Sequence, residues 1–492
     1  MRVLVVTGRK AAEMVRKFES DMTDVLVLDT DIAAFTTPNR LKKNLNDETF
    51  DIIIIPGLVS ADFSRLETQL NIPIRLGPKH AVDLGMVLSS LDRIELSTTV
   101  PACELLADIR RETAISTLKE IEKAAQCAFL LGNLKIGGSS TMKVMAEIVD
   151  ATALGDDELV ERILSFQIKG ADIIDLGVGM AADVEEVKHT VALARKTAKV
   201  PLSIDTLEPD LITTAIRFGV DMVLSLNSTN IKTVAPVITR ADITAVVIPD
   251  PGNELDSLIS NIHTARGLGV SKIIADPILD PPGQNMVNSI FRYKQFRQSF
   301  VDIPMFFGVG NITELMDVDS VGINALLTAI GCDVEADILF TPEYSDKARG
   351  SIAELKTSAQ MMAMSKYRSS PPKDLGIDLL LLKEKRFRPF DEVPVDFITA
   401  KKDSKWTRDP AGSFKISISN SKIKNGVEEK NRIIAQHKKC TIIGNSAKDI
   451  LDTVLDLGLI SKLDHAGYLG RELMKAELAL EMGRSYSQDD EF

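Results

Sequence analysis

The sequence is poor in aromatic residues and cysteines, and it has no long apolar run. Aromatic side chains make up 5% of the 492 residues, and the four cysteines form no CxxC pair. Neither a disulfide framework nor a zinc site is therefore predicted, and a reducing cytoplasm is the expected location. The longest apolar runs, such as residues 52–55 and 379–382, are far shorter than the ~20 residues that cross a bilayer, so no membrane association is expected.

Positive charge is scarcer than negative charge. Lysine and arginine total 58 residues and aspartate and glutamate total 70, which gives a net charge of −12. This balance excludes a long-range positive field that would attract nucleic acid, so no nucleic-acid partner is expected. Residues 1–7 have the pattern of a strand, and no signal peptide is predicted there. Any anionic ligand must be bound by local groups.

Strand and helix patterns divide the chain into four predicted segments. Residues 1–100 alternate β-branched runs with helical stretches, which is typical of a small doubly wound α/β domain. Residues 101–125 have helical periodicity and form a connector. Residues 126–370 contain eight apolar runs separated by helical segments, over a length typical of a (β/α)8 TIM barrel. A Ser-Pro stretch then predicts a linker, and residues 371–492 form a C-terminal α+β domain.

Reactions in TIM barrels take place at the carboxyl ends of the strands. Polar residues follow several of the eight predicted strands, which are residues 128–131, 172–176, 201–204, 222–226, 245–248, 272–275, 304–307 and 336–340. Carboxylates and carboxamides suit a planar heterocycle, because a carboxylate accepts two parallel N–H bonds while an amide both donates and accepts. Helix caps and turn formers are the alternative roles. The candidates are Asp175, Asp205, Asn227, Asp276 and Asn311.

Phosphate-binding candidates rest on shorter patterns. The Gly-rich loop at residues 137–141 can bind phosphate through backbone N–H groups, or can act as a flexible lid. Lys347 and Arg349 follow the eighth predicted strand, where barrels often bind phosphate, although surface positions are the alternative. The basic run of Arg292, Lys294 and Arg297 predicts a solvated helix face, with contact to an anionic second substrate as the alternative.

Three segments resemble successive strand motifs of the pterin-binding barrel family, which includes dihydropteroate synthase and the methyltetrahydrofolate corrinoid methyltransferases. They are residues 170–177, 201–206 and 276–277. The whole chain is similar to the dihydropteroate-synthase-related proteins of methanogenic archaea, where tetrahydromethanopterin takes the place of folate. The resemblance implies a transferase that condenses a 6-hydroxymethyl-dihydropterin pyrophosphate with an arylamine, in folate or tetrahydromethanopterin biosynthesis.

The resemblance also implies roles for individual residues. Asp205 and Asp276 would act as catalytic residues that flank the pterin, with Asp276 at its pyrimidine edge. The pterin-binding set would be Asp175, Asp205, Asn227, Asp276 and Asn311. Phosphate would contact Asn133, Lys347 and Arg349, and Asn133 would also help to bind Mg²⁺ with the pyrophosphate. By analogy alone, a homodimer can form through the barrel helices.

Two departures from the synthase motifs leave two alternatives open. After the seventh predicted strand the chain has Gly310-Asn311 where synthases have Ser-Arg-Lys, and residues 341–344 replace the synthase Arg-Val-His. Asn311 and the run at residues 227–229 are closer to the methyltransferases, which favours a methyl-tetrahydropterin-dependent methyltransferase as the first alternative. The missing Lys and Arg of the synthase motifs make a non-catalytic pterin-binding protein the second.

Overall fold

The computed structural model describes residues 1–46, 49–252, 254–373, 375–382, 396, 398–400, 407–419, 423–424, 427–428 and 431–490. The chain forms two compact units, Met1–Lys123 with Met364–Asp378 and Ala124–Ala363 with Leu379–Phe492. The four predicted domain boundaries stay a prediction. Across the described ranges, no helix combines the length and the apolar character needed to cross a bilayer.

The first unit contains a parallel four-stranded sheet, which confirms the predicted doubly wound domain. Its strands are β1 (Val3–Thr7), β2 (Thr23–Val27), β3 (Ile52–Ile55) and β4 (Ile74–Leu76), and its helices are α1 (Ala12–Arg16), α2 (Pro38–Asn44), α3 (Ser64–Leu70), α4 (Leu84–Leu88) and α5 (Ala102–Ala124). The strand order is β2-β1-β3-β4. Leu4 and Val6 pack in one core cluster, whereas Val3 and Val5 pack in another. The sheet is thus buried on both faces, which is why β1 is apolar throughout.

The second unit begins with an antiparallel hairpin where the first barrel strand was predicted. Strand β5 (Phe129–Leu131) pairs with β6 (Leu134–Ile136) around Gly132, whose φ is +57°. The assignment of residues 128–131 as a barrel strand is therefore wrong, since an apolar run specifies neither the partner nor the direction of a strand. Gly132 and Gly137 lie next to Pro201 and Pro304, which precede two barrel strands. The hairpin thus lies at the amino-terminal end of the barrel.

Eight parallel strands form the barrel, which confirms the predicted (β/α)8 fold. They are β7 (Lys143–Ile148), β8 (Ile173–Gly177), β9 (Leu202–Asp205), β10 (Met222–Leu226), β11 (Thr244–Val247), β12 (Ile273–Ala275), β13 (Phe306–Phe307) and β14 (Ile338–Thr341). The strand order is β12-β11-β10-β9-β8-β7-β14-β13. A bridge between Ala275 and Met305 joins the two edge strands and closes the barrel. Apart from β7, each strand overlaps its predicted position.

Nine helices of the described barrel region follow or lie between these strands. They are α6 (Asp156–Lys169), α7 (Val184–Thr197), α8 (Pro209–Phe218), α9 (Ile231–Ala241), α10 (Glu254–Gly267), α11 (Met286–Ser299), α12 (Gly310–Thr313), α13 (Ser320–Asp333) and α14 (Ser351–Arg368). Alternate strand residues divide between two cores. Met145 and Ile173 pack inside the barrel, whereas Val144 and Ile174 pack in the larger cluster that includes the helices.

The described C-terminal residues form an antiparallel sheet with two helices, which confirms the predicted α+β region. The elements are β15 (Phe414–Ser419), β16 (Ile423–Lys424), β17 (Val427–Glu428), β18 (Arg432–His437), β19 (Thr441–Gly444), α15 (Ala447–Asp456) and α16 (Leu463–Glu481). Strands β15, β18 and β19 pair in that order, and β16 pairs with β17.

Candidate active site

Three carboxylates lie together at the carboxyl end of the barrel strands, which we call the barrel mouth. Glu147 on β7 is opposite Asp175 on β8 in the strand register, and Asp205 lies on the next strand, β9. Met145, two residues before Glu147, packs inside the barrel, and strand side chains alternate between faces, so Glu147 points inward too. One carboxylate oxygen from each of the three side chains lies within 4.8 Å of the others. Glu147, Asp175 and Asp205 are called the carboxylate cluster below.

The carboxylate of Glu147 occupies space that a side chain at Gly177 would fill. A Cβ atom at Gly177 would lie 2.6 Å from Glu147 Oε1 and 3.1 Å from the Ile148 carbonyl oxygen. Gly177→Ala is therefore expected to displace Glu147 and to lower the free energy of unfolding by about 1–3 kcal/mol, as measured by chemical denaturation.

Gly179→Ala is the matched control for this prediction. A Cβ atom at Gly179 would lie 3.5 Å from Thr152 Oγ1, which is an ordinary contact, so little change is expected. Equal effects of the two substitutions would contradict the close approach of Glu147 to Gly177.

Burial and mutual repulsion raise the pKa values of the carboxylate cluster. The pKa of Glu147 is raised to about 7, chiefly by burial and then by the charges of Asp205 and Asp150. Burial raises the pKa of Asp205 to about 6. Burial, followed by the charges of Asp205 and Glu147, holds the pKa of Asp175 well above its usual value. Neither oxygen of Asp175 has a hydrogen-bond partner among the described residues.

Asp276 lies at the end of β12 and presents one constrained oxygen and one open oxygen. Its Oδ1 accepts hydrogen bonds from the Ile278 backbone N–H at 2.8 Å and from the Tyr293 hydroxyl at 3.0 Å. No described residue donates to Oδ2. Burial raises the pKa of Asp276 to about 6, although both donors and the Arg292 charge lower it. The carboxylate is therefore ionised at neutral pH and held in a fixed orientation.

The hydroxyl of Tyr293 sets the pH range in which Asp276 can accept hydrogen bonds. Tyr293→Phe removes a donor that favours the ionised form, so the pKa of Asp276 should rise. If a bound pterin needs the ionised carboxylate, pterin affinity in the wild type should fall as the pH drops through about 6, and in Tyr293→Phe this loss should begin at higher pH. We expect binding by the variant to be about two- to fivefold weaker near pH 6.5 and nearly unchanged near pH 8.

Fluorescence titration of pterin at each pH measures this shift. Comparing proteins at the same pH cancels the titration of the ligand itself. Tyr344→Phe, at an exposed position, is the control and should follow the wild-type profile. Parallel profiles for Tyr293→Phe and the wild type would contradict the role assigned to Asp276.

Arg292 and Arg297 on α11 are buried, so the predicted solvated face is wrong for both residues. Arg292 donates to the carbonyl oxygens of Pro277 at 3.1 Å and Ile278 at 2.7 Å. Its guanidinium also lies 3.0 Å from Asp280 Oδ2. A guanidinium can be buried when carbonyl and carboxylate oxygens accept its five N–H bonds, which a charge pattern in the sequence does not reveal. Arg292 thus fixes the loop that follows Asp276.

Asn227 follows β10 and is nearly fully buried. Its side-chain Oδ1 accepts hydrogen bonds from the N–H and the hydroxyl of Thr229, at 3.0 and 2.6 Å. Asn230 fixes this strand end, because its amide accepts from the Asn227 N–H at 3.0 Å and donates to the Ser225 carbonyl at 2.9 Å. The register between β10 and β11 shifts after Val223. Because Oδ1 already accepts two hydrogen bonds, the Nδ2 group of Asn227 is the part of the amide that can donate to a ligand.

Asn311 lies in helix α12, directly after β13. Its Nδ2 donates to the carbonyl oxygen of Leu279 at 2.9 Å. Asn311 therefore connects the loops that follow β12 and β13 at the barrel mouth. Its contact with a pterin stays a prediction.

Comparison with known proteins establishes the family. Residues 148–316 match the family model described as pterin binding enzyme, and residues 408–489 match a second model, PterinBD-DUF4346. An uncharacterized protein of Methanocaldococcus jannaschii is 37% identical over 530 residues, covering 99% of this chain and 98% of that protein. The chain belongs to the pterin-binding enzyme family.

Solved dihydropteroate synthases are also similar to about half of this chain. The enzyme of Xanthomonas albilineans with 4-aminobenzoic acid is 17% identical with a TM-score of 0.40, covering 50% of this chain and 99% of that chain. The enzyme of Thermus thermophilus in complex with 6HMPPP is 18% identical with a TM-score of 0.37, covering 44% and 92% respectively.

Four of the five residues predicted to bind pterin lie at or just beyond the carboxyl ends of β9, β10, β12 and β13, and the fifth, Asp175, lies in the middle of β8 opposite Glu147. Asp175 and Asp205 belong to the carboxylate cluster, and the other three are Asn227, Asp276 and Asn311. Their individual contacts with a ligand stay predictions.

The Mg²⁺ site that the resemblance implies at Asn133 does not fit this pterin-binding barrel. Asn133 lies in the turn between β5 and β6, at the amino-terminal end of the barrel. The Gly-rich loop at residues 137–141 joins the hairpin to β7 at the same end, where Gly137 contacts Pro304. The expectation that these residues follow the first barrel strand is wrong, because β7 begins only at Lys143. No step of the reaction is assigned to a metal at Asn133.

Lys347 and Arg349 follow β14, and acidic residues pair with both of them. Lys347 Nζ lies 2.7 Å from Asp317 Oδ1, and Arg349 Nη2 lies 3.0 Å from Asp346 Oδ1. Both acidic partners are 97% exposed, and exposed ion pairs are weak enough to exchange for a bound phosphate. The phosphate-binding role of the two residues stays a prediction.

Glu147 is the functional candidate that the sequence reasoning missed. It lies in strand β7, whose sequence is KVMAEI and whose other residues are all buried. A carboxylate inside an otherwise buried run was the available signal, since glutamate is rarely buried without a partner. The sequence pattern does not single it out, because the apolar run at residues 128–131 takes the place of the first barrel strand in the prediction.

Proposed function

We propose that the protein binds a pterin in the barrel mouth and condenses a 6-hydroxymethyl-dihydropterin pyrophosphate with an arylamine. The observation that carries the proposal is Asp276, a partly buried carboxylate with Oδ1 fixed by two donors and Oδ2 open. The open Oδ2 of this carboxylate can accept N–H groups from the aminopyrimidine edge of a pterin. We assign the reaction to folate or tetrahydromethanopterin-type cofactor biosynthesis.

Ring recognition would use complementary groups from neighbouring strand ends. Asp276 supplies an acceptor for the N–H edge of the pterin. Asn227 supplies a donor for a ring carbonyl, because its own oxygen is already bound by Thr229. Asp205 lies on the adjoining side of the mouth as an inward carboxylate that is ionised above about pH 6.

The proposed reaction breaks the C–O bond to pyrophosphate and forms a C–N bond to the arylamine. The leaving pyrophosphate takes the bonding electron pair, and the positive charge that develops on the pterin methylene is stabilised by the ionised Asp205 carboxylate. The arylamine then attacks through its nitrogen lone pair and loses one proton to solvent. Positioning of ring and amine supplies most of the remaining rate acceleration.

Methyl transfer from a methyl-tetrahydropterin is the second candidate function. It is favoured by Asn311 at the barrel mouth, where the synthase motifs carry Arg and Lys. The acceptor would be a corrinoid or another nucleophile supplied by a partner.

Product analysis by mass spectrometry separates these functions. The full-length protein is incubated with the hydroxymethyl-dihydropterin pyrophosphate, Mg²⁺ and a series of arylamines, one of which carries a ribose phosphate. The expected result is a dihydropteroate-type product with stoichiometric pyrophosphate and no requirement for a second protein. Methyl loss from methyl-tetrahydropterin on addition of a corrinoid acceptor, without condensation, would favour the second candidate. Tight pterin binding with neither product would identify a non-catalytic pterin-binding protein and contradict both reactions.

A further inference from the structure

We infer that Glu147, Asp175 and Asp205 bind one divalent cation at the base of the barrel mouth. The three side chains come from three adjacent parallel strands, β7, β8 and β9. One oxygen of each lies within 4.8 Å of the other two. Three such oxygens can surround one point at roughly 2.8 Å or less, close to the bond lengths of hard divalent cations, which prefer oxygen ligands. This inference is independent of the reaction proposed above.

The charge of the cluster requires a positive partner that the described protein does not supply. None of the ion pairs among the described residues includes Glu147, Asp175 or Asp205. Three carboxylates this close repel one another strongly in a partly buried site, so they need a bound cation or shared protons.

Other buried carboxylates in the chain show how this protein satisfies such groups. Asp409 accepts from the Ser461 N–H at 2.9 Å and from His465 Nδ1 at 2.9 Å. Glu354 accepts from Ser320 at 3.0 Å and from an asparagine amide at 2.7 Å. Among the described residues, Asp175 is the carboxylate whose two buried oxygens both have no partner. A bound cation would supply the partner that these two oxygens lack.

A buried hydroxyl beside the cluster provides a second and independent indication. Ser203 is fully buried, and its Oγ has no hydrogen-bond partner among the described residues. It is opposite Asp175 in the register of β8 and β9, and its hydroxyl is near enough to the Asp175 carboxyl group to lower the pKa of that group, without forming a hydrogen bond of normal geometry. Buried polar groups in folded proteins are nearly always satisfied, so an orphaned hydroxyl here points to a ligand that lies against both residues.

The cation site and the proposed pterin site can coexist at Asp205. Each carboxylate has two oxygens, so one can bind the cation while the other faces the ring. Because Asn133 lies at the opposite end of the barrel, the carboxylate cluster is the position in the described mouth where a cation finds three charged ligands.

Mn²⁺ binding in the absence of pterin tests this inference. Full-length protein is stripped with a chelator and titrated with Mn²⁺, with free ion followed by electron paramagnetic resonance and Mg²⁺ used as competitor. We expect one saturable site per chain, and at least about tenfold weaker binding in both Glu147→Gln and Asp175→Asn. Asp276→Asn, which changes a carboxylate outside the cluster, should bind Mn²⁺ as the wild type does while losing pterin.

Thermal unfolding of the metal-free and Mn²⁺-loaded proteins provides a second readout. Removing one charge should relieve repulsion, so metal-free Glu147→Gln should melt above metal-free wild type, and Mn²⁺ should stabilise the wild type more than the variant. Absence of saturable Mn²⁺ binding in the wild type would overturn the inference, because the cluster would then be neutralised by protons. Undiminished binding in both cluster variants would overturn it as well, by locating the ion elsewhere.

Discussion

Asp276→Asn is expected to weaken pterin binding by about 100-fold near pH 8, where the wild-type carboxylate is ionised. The asparagine keeps the size of the side chain but replaces one acceptor oxygen with an N–H donor, which then faces the N–H edge of the pterin. A lost charge-assisted pair and an opposed donor together account for a loss of this size. Calorimetric or fluorescence titration with a pterin measures the change, and circular dichroism verifies the fold.

Asp250→Asn is a matched control for Asp276→Asn. Asp250 lies just beyond strand β11 and accepts hydrogen bonds from the backbone N–H and the hydroxyl of Ser228, at 3.2 and 2.9 Å. Its substitution removes the same charge from the same end of the barrel without changing the proposed ring contact. A comparable loss of affinity in both variants would show that net charge, and not a bond to Asp276, controls binding.

Asp205→Asn is expected to lower turnover by about 10²- to 10³-fold while it weakens pterin binding by less than about tenfold. In the proposed reaction, positive charge is larger in the transition state than in the bound substrate, so removing the facing carboxylate affects the rate more than the affinity. Steady-state and single-turnover kinetics of product formation separate the two quantities.

Two further variants make the Asp205→Asn result specific. Asp150→Asn removes an exposed carboxylate from the residue that follows β7 and Val149, and it should retain nearly full turnover. Glu147→Gln disturbs the carboxylate cluster but leaves Asp205 in place, so it distinguishes loss of a cation from loss of the Asp205 charge. Equal losses of affinity and turnover in Asp205→Asn would contradict a role confined to the transition state.

Much of the barrel was predictable because a local pattern of apolar residues specifies each βα unit. Strands such as residues 222–226 are buried on both faces and are therefore apolar throughout. In the helices between them, apolar residues recur every three or four positions. The carboxyl ends of parallel strands all meet at one end of a barrel, so Asp205, Asp276 and Asn227 could be assigned to the same end from strand order alone.

The rest of the site depended on information that local patterns lack. Residues 128–131 and Lys143–Ile148 are both strands, and only their pairing distinguishes a hairpin from a barrel strand. That one ambiguity placed Asn133 at the wrong end and hid Glu147. Arg292 is buried because it pairs with Asp280, 12 positions away, and Lys347 pairs with Asp317, 30 positions away. A charge pattern in the sequence does not reveal such tertiary contacts.

A crystal structure of the protein with a bound pterin tests the central claim most directly. We predict density for the ring in the barrel mouth, with its aminopyrimidine edge within hydrogen-bond distance of Asp276 Oδ2 and with Asp205 on the adjoining side. An occupied pterin in any other place, or a mouth left without ligand at saturating pterin, would contradict the proposed function.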